Sequence, residues 1–166
     1  MIGNDVIDLT AANLESNWQR PGFLNKICTQ QEQVVIESSK DPNQILWRLW
    51  SMKEAAYKIW NRETGIRIYN PKQFECSFDE SVFGKVQYKN STYYTQTNCE
   101  QDKIHTIAVT DFTLFTSVVA VARNQNIIKK GIFPYIKDLK MGLDIPVSVS
   151  HHGKYWEAVM LDLHHD

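Results

Sequence analysis

The sequence is poor in cysteine, and its cysteines are not arranged in pairs. Cys28, Cys76 and Cys99 are odd in number, lie far apart and include no CxxC spacing. This pattern excludes a disulfide framework and a zinc ribbon. Because unpaired cysteines are typical of reducing compartments, we expect a cytoplasmic protein.

The sequence also lacks an excess of charge and a long apolar run. Its 18 lysines and arginines nearly balance its 19 aspartates and glutamates. This balance argues against binding to nucleic acid or to an anionic membrane surface, both of which attract strongly basic proteins. No stretch approaches the roughly 18 apolar residues of a transmembrane helix, and the N-terminal residues lack the basic region of a signal peptide. We therefore expect neither nucleic acid nor membrane as a partner. Any anionic ligand must be held by local groups.

The length and the spacing of apolar residues predict one domain, residues 1–166, with an α+β fold in which a long helix packs on an antiparallel sheet. β-branched residues alternate in IGNDVIDL, residues 2–9, as in a short strand. Short β-branched and aromatic runs from Phe74 onward indicate that the middle of the chain is mostly sheet. We expect a loop and a short helix in 124–144, where glycines and a proline interrupt the pattern, and a strand, a turn and a strand at the end.

Capping signals define the predicted helices. GFLNKICTQQEQVVIESS predicts a helix, a turn and a second helix, because Thr29 and Glu32 have the spacing of a capping box. The longest helix is predicted from Pro42 to Glu63. Asp41 suits its N-cap, the proline suits its first position, and Gly65 suits a left-handed stop.

Three charged residues of this helix lie in or beside its apolar face, within WSMKEAAYK, residues 50–58. Lys53 projects inside the apolar arc, where an ammonium must either extend to water or meet an anion in a cleft. Glu54 and Lys58, four residues apart, lie at the edge of the arc. They form either a surface pair worth about 0.3–0.5 kcal/mol or part of a site.

A magnesium–phosphate site is the alternative to a surface pair. Mg²⁺ takes one or two carboxylate oxygens together with substrate phosphates and waters. Glu54 supplies one carboxylate, Asp5 on the neighbouring predicted strand would supply the second, and the lysines would neutralise a diphosphate. We therefore predict a site where the first strand meets the long helix.

Several motifs, in their order along the chain, resemble the 4′-phosphopantetheinyl transferase superfamily. IGNDVIDL is similar to its first strand, WSMKEAAYK fits its WxxKExxxK pattern, and VSVSHHGKYWEAV is similar to its C-terminal stretch. GFLNKICTQQE resembles the family's segment ending in T-x-x-E, and GIRIYNPKQFEC its glycine-led segment after the helix. The resemblance covers roughly residues 1–79 and 143–161, while the mostly β segment at about 80–142 matches no motif of the family.

The resemblance implies a fold and an activity. The family moves the 4′-phosphopantetheine group of coenzyme A onto a serine of an acyl or peptidyl carrier protein, depends on Mg²⁺, and releases 3′,5′-ADP. It implies that Asp5 and Glu54 are metal ligands, that Glu54 or a metal-bound water accepts the serine proton, and that Lys58 contacts the pyrophosphate. Lys53 then resembles a phosphate contact, and His151 resembles the histidine near the nucleotide, with His152 competing for that role.

Two departures from the family pattern concern the carboxylates and the chain length. Some members carry a third carboxylate two residues after the strand aspartate, where this chain has Ile7, and we expect Asp8 to be structural. The single N-terminal motif set resembles the short synthases of the family, whose active sites form between subunits. This leaves a homo-oligomer open, although the chain is longer than a typical short synthase.

Other interpretations remain open at this stage. The carrier could serve fatty-acid, polyketide or nonribosomal-peptide synthesis, because surface loops decide partner choice. Trp18, Arg20 and Lys26 form either a docking patch for an acidic carrier or plain surface, and His164 and His165 are expected to be solvated tail rather than metal ligands. The main alternative function is a non-catalytic family member that binds coenzyme A or a carrier protein as an assembly factor.

Overall fold

The computed structural model describes residues 1–139 and 142–162, which form helices and two antiparallel sheets. The C-terminal His164 and His165 lie outside the described residues. The helices are α1 Leu9–Glu15, α2 Phe23–Ile27, α3 Gln30–Ser38 and α4 Pro42–Thr64, with 3₁₀ turns at Pro71–Gln73 and Phe112–Ser117. The strands are β1 Ile2–Asp8, β2 Glu75–Phe78, β3 Phe83–Tyr88, β4 Ser91–Cys99, β5 Lys103–Val109, β6 Val118–Ala120, β7 Ile127–Lys130, β8 Phe133–Lys137, β9 Asp144–His152 and β10 Tyr155–Leu161.

The strands form two five-stranded sheets. The first sheet has the order β1-β5-β4-β3-β2 and the second has the order β6-β10-β9-β8-β7. In the first sheet β1 pairs with β5 so that Asp5 lies opposite Thr106. The edge strand β1 therefore carries the predicted site aspartate at its centre.

The long helix α4 packs on the first sheet, as predicted. Its apolar face is completely or almost completely buried along its length, at Leu46, Leu49, Met52, Ala55, Ala56 and Ile59. Asp41 caps the helix by accepting from the Gln44 amide, and Gly65 ends it with φ of 70°. The predicted α+β class and the capping signals of α4 are confirmed.

Gly3 allows β1 and α4 to approach closely. A Cβ at this position would lie 2.1 Å from the Ala55 carbonyl oxygen, far inside van der Waals contact. Because that oxygen is backbone, a larger residue at position 3 would push the strand away from the helix. The close approach holds Asp5, two residues along the strand, against the middle of α4.

The free edge of β1 is covered by side chains of β9 rather than by another backbone. The backbone amides of Asn4, Val6 and Asp8 donate to Ser148 Oγ at 2.8 Å, Ser150 Oγ at 3.1 Å and His152 Nδ1 at 3.0 Å. Alternate residues of β9 thus satisfy the alternate amides that an edge strand leaves unpaired. This side-chain ladder joins the second sheet to the first.

Two segments differ from the sequence-based expectation. The expected loop and short helix in 124–144 is wrong for residues 127–137, which form the β7–β8 hairpin, since Gly131 adopts φ of 63° at its turn. The sequence analysis also did not predict α1. That helix starts directly after β1 because the Asp8 carboxylate accepts from the amides of Thr10 and Ala11 and caps it.

Candidate active site

A pocket of about 440 Å³ lies where β1, α4 and β9 meet. Asp5, Glu54 and His151 line it, each from a different one of these elements. Its walls include the apolar side chains of Phe23, Ile27, Trp47 and Trp50. The structure therefore brings three of the predicted site residues to one cavity.

Asp5 has one carboxylate oxygen held in place and one without a partner. Its side chain is largely buried, and Oδ1 accepts a hydrogen bond from Ser150 Oγ at 3.0 Å. Oδ2 is buried and has no hydrogen-bond partner among the described residues. A buried carboxylate oxygen without a partner is energetically unfavourable. This oxygen is therefore suited to bind a cation or to accept a hydrogen bond from a ligand.

Glu54 faces the same pocket from α4. Burial, together with the negative charge of Asp5, raises the pKa of Glu54 to about 7, against the opposing influence of the Lys58 ammonium. The buried Tyr69 hydroxyl lies beside this carboxyl but does not reach it with the geometry of a full hydrogen bond. A divalent cation would relieve the unfavourable placement of the Glu54 charge, which is buried beside the negative charge of Asp5.

Lys58 lies beside Asp5 but is not among the described residues that line this pocket. Its Nζ donates to the Asn4 carbonyl at 2.7 Å, to the Val149 carbonyl at 3.4 Å and to Asp5 Oδ1 at 3.5 Å. The pair with Asp5 is loose, and the Lys58 side chain is 30% exposed. Its ammonium therefore stands between β1 and β9 with one side still open.

The structure separates the roles of the two adjacent histidines. His152 belongs to the ladder, because its Nδ1 accepts from the Asp8 amide while Nε2 lies 3.3 Å from Glu15 Oε2. His151 is exposed at the pocket rim. Since both nitrogens of His152 are engaged, His151 is the histidine whose ring is better placed to meet a ligand.

The donor set of this pocket fits Mg²⁺ shared with a substrate. Among the described residues no group of three or more histidine, cysteine, aspartate or glutamate side chains forms a closed metal site. Mg²⁺ does not require one, since it binds through one or two carboxylates and fills its shell with waters and phosphate oxygens. Asp5, with its unpartnered Oδ2, and Glu54, with its raised pKa, are two carboxyl groups of the kind that Mg²⁺ binds.

Lys53 is not at this pocket, which contradicts the prediction that it contacts a phosphate. Its side chain is 1% exposed, and Nζ donates to both carboxylate oxygens of Glu32, at 2.8 and 2.9 Å. Nζ also donates to the carbonyls of Pro71 and Phe74. The anion that Lys53 meets is therefore a buried glutamate of the protein itself.

Sequence reasoning missed two residues that shape the site, Ser150 and Tyr69. The polar alternation of Ser148, Ser150 and His152 along one side of a strand is a signal that could have identified the ladder. Tyr69 lies in an irregular segment, and its position beside Glu54 depends on aromatic packing against Trp50 and Tyr57. No local pattern in the sequence predicts that packing.

Replacing Ser150 by alanine should weaken Mg²⁺ binding by about 10- to 100-fold, the usual cost of losing a group that orients a metal ligand. The substitution frees Asp5 Oδ1 and leaves the Val6 amide without its partner. Titration calorimetry with MgCl₂ measures the effect. Ser148→Ala is the matched control, because it removes the equivalent ladder bond to the Asn4 amide without touching Asp5. Equal Mg²⁺ affinities in the two variants would contradict a role for Ser150 in positioning Asp5.

Comparisons with known proteins agree with this architecture. The family model described as the 4′-phosphopantetheinyl transferase superfamily matches residues 1–116. The fold is similar to that of holo-[acyl-carrier-protein] synthase from Neisseria meningitidis, with 17% identity and a TM-score of 0.54 over 66% of this chain and 96% of that chain. It is also similar to an apo-ACPS structure from Chronobacterium ammoiniagenes, with 15% identity and a TM-score of 0.53 over 65% of this chain and 93% of that chain.

These likenesses have limits along the chain. No curated protein matches the sequence. At such low identities the solved structures establish the fold alone. The family model ends at residue 116, before β9, so the resemblance of VSVSHHGKYWEAV to the family remains a prediction. Ser150 and His151 are therefore contributed to the pocket by a part of the chain beyond the family match.

Proposed function

The chain belongs to the 4′-phosphopantetheinyl transferase superfamily, and on that premise we propose that it transfers the 4′-phosphopantetheine group of coenzyme A to a serine of an acyl or peptidyl carrier protein. The serine oxygen bonds to the phosphorus that carries the pantetheine, the bond from that phosphorus to the bridging oxygen breaks, and 3′,5′-ADP leaves. The observation that carries the proposal is the convergence of Asp5 and Glu54 on one pocket, with an unpartnered carboxylate oxygen between the strand and the helix.

We propose that Asp5 and Glu54 hold Mg²⁺ in this pocket. When bound there, the ion would supply positive charge to the diphosphate of coenzyme A. Ser150 fixes one oxygen of Asp5 and leaves the other free for this purpose. The same donor set is also able to bind other hard divalent cations such as Mn²⁺.

Proton removal from the serine is assigned to Glu54. In the protein without a cation, burial and the charge of Asp5 raise the pKa of Glu54 to about 7, so this carboxyl binds a proton more readily than an ordinary glutamate does. Tyr69 and Trp50 border this carboxyl and limit its access to water. General base catalysis of this kind contributes about 10²- to 10⁴-fold in rate.

Lys58 and His151 are proposed to contact the nucleotide. The Lys58 ammonium is only loosely paired with Asp5, so it is able to follow negative charge onto the departing diphosphate oxygen. His151 at the rim would meet a phosphate or the carrier. The second sheet supports a site completed within one chain, because β9 supplies His151 and Ser150 without a second subunit.

The carrier would dock on the side of the pocket that α1 and α2 form. Arg20 and Lys26 are basic residues of this region, and Arg20 lies 5.1 Å above the Phe23 ring, which lines the pocket. These two basic side chains suit an acidic carrier surface and would raise its association rate. Among the described residues no helix combines the length and apolar character that a membrane crossing demands. A cytoplasmic location, proposed from the unpaired cysteines, fits this partner.

Mass spectrometry of carrier proteins tests the proposal. The protein is incubated with coenzyme A, MgCl₂ and an apo carrier from fatty-acid, polyketide or nonribosomal-peptide synthesis, and each carrier is weighed. We expect at least one carrier to gain one phosphopantetheine group, and the same carrier with its serine replaced by alanine to gain none. Coenzyme A binding without transfer to any carrier would overturn the proposal and favour a non-catalytic binding protein.

A further inference from the structure

A second, smaller pocket lies next to the first along α4. It has a volume of about 160 Å³ and is lined by Lys58, Asn61 and Arg62 of α4 and by residues of β8 and β9. None of the described residues that line it is an aspartate or glutamate. Pockets for whole drug-sized ligands begin at about 300 Å³, so this cavity suits a single small group.

Arg62 enters this pocket with an unused donor. Its Nη2 donates to the Val147 carbonyl at 2.7 Å and to the Pro134 carbonyl at 3.3 Å. Its Nη1 is buried and makes no hydrogen bond of full geometry among the described residues, although the Tyr135 hydroxyl lies near the guanidinium. The rings of Phe133 and Tyr135 lie 5.2 and 5.1 Å from the guanidinium carbon and hold it in place.

The guanidinium also lacks a balancing charge. No ion pair joins Arg62 to a carboxylate within residues 1–139 and 142–162. A buried charge without a counterion is unfavourable unless a ligand supplies one. Among the described lining residues the other charged group is the Lys58 ammonium, which adds to the positive potential. The pocket is therefore complementary to an anion.

The position of the pocket indicates which anion it would take. Glu54, Lys58 and Arg62 succeed one another at intervals of four residues, so each is about 6 Å further along one face of α4. Lys58 is shared by both sites, because its Nζ lies 3.5 Å from Asp5 Oδ1 and its side chain lines the second pocket. A ligand whose diphosphate is held near Glu54 would place further phosphate oxygens toward Arg62.

We propose that Arg62 and Lys58 form an anion subsite that binds a phosphate group of coenzyme A. A guanidinium suits phosphate because it keeps its positive charge, and the remaining Nη1 of Arg62 is able to donate to a phosphate oxygen. The subsite rests on the proposed function for the identity of its ligand. Two groups of coenzyme A share the required chemistry, namely the 3′-phosphate on the ribose and the diphosphate.

Calorimetric titration with coenzyme A and with dephospho-coenzyme A, which lacks the 3′-phosphate, tests the subsite. Arg62→Gln should weaken coenzyme A binding by about 10- to 100-fold, the range for a lost hydrogen bond to a charged group. A loss confined to coenzyme A identifies the 3′-phosphate as the ligand, and an equal loss for both compounds identifies the diphosphate. Unchanged affinity for both compounds overturns the proposal.

Two further variants separate binding from folding. Arg62→Lys keeps the charge and should retain coenzyme A binding better than Arg62→Gln, whereas a purely structural arginine would lower the melting temperature in both variants without changing affinity. Arg123→Gln makes the same charge change at an exposed position outside both pockets and should bind like wild type. If Arg62 controls affinity but no carrier is modified, the proposed function fails and the subsite stands. If a carrier is modified but the Arg62 variants bind coenzyme A like wild type, the subsite fails and the proposed function stands.

Discussion

Glu32→Gln is expected to lower the free energy of unfolding by about 3–5 kcal/mol, the range for breaking a buried ion pair from one side. The Glu32 carboxylate, 2% exposed, accepts from Lys53 Nζ, from the Cys76 amide at 2.8 Å and from the Thr29 amide at 2.8 Å. Glutamine removes the charge that balances the buried ammonium. It also places an NH₂ group among donors that need an acceptor.

Urea denaturation followed by tryptophan fluorescence measures this loss. Glu37→Gln is the matched control, since it makes the same change on an exposed face of α3 and should shift stability by less than about 0.5 kcal/mol. Adding Lys53→Met to Glu32→Gln should recover part of the loss, because an apolar side chain replaces the orphaned ammonium. If Glu32→Gln is as stable as Glu37→Gln, the buried pair does not have the proposed role.

The same network illustrates what the sequence can and cannot predict about the fold. Thr29 and Glu32 were predicted as a capping box, and both of its hydrogen bonds are present. That prediction succeeds because the interaction lies within four residues. The further bond from Glu32 to Lys53 joins residues 21 positions apart, and no local pattern selects that partner. The position of Lys53 in the apolar face therefore predicted either access to water or an anion in a cleft, and the substrate phosphate that the resemblance implied is replaced by Glu32.

In the candidate site, too, residues within local motifs were predicted, whereas residues placed by tertiary packing were not. Asp5 and Glu54 were predicted from a carboxylate pattern and a family resemblance, and the structure brings them to one pocket. Ser150 and Arg62 were not predicted, because each depends on how the second sheet packs against β1 and α4. The segment 127–137 was mispredicted because Gly131 and Pro134 suit a loop as well as a tight hairpin.

Glu54→Gln is expected to reduce phosphopantetheine transfer by about 10²- to 10⁴-fold, because the amide neither accepts a proton nor carries the charge that a divalent cation requires. The side chain keeps its size, so the fold should be retained. Transfer rates are measured by mass spectrometry of the carrier that the wild-type protein modifies. Glu63→Gln, on an exposed turn of the same helix, is the control and should retain the wild-type rate. A Glu54→Gln variant with undiminished transfer would remove Glu54 from the chemistry.

The pH dependence of Mg²⁺ affinity gives Glu54 a second test that does not depend on transfer. The pKa of Glu54 in the metal-free protein is raised to about 7 by burial and by the charge of Asp5. A protonated carboxyl cannot ligate Mg²⁺, so affinity should rise between about pH 6 and about pH 8 as the proton is released, and this rise should vanish in Glu54→Gln. Asp5→Asn removes the neighbouring charge and should therefore lower the pKa of Glu54. This variant should bind Mg²⁺ more weakly, and its Mg²⁺ affinity should rise over a lower pH range than in wild type. A pH dependence that is the same in wild type and Asp5→Asn would mean that the two carboxylates do not share a site, because the charge of Asp5 raises the pKa of Glu54 only if the two groups lie close together.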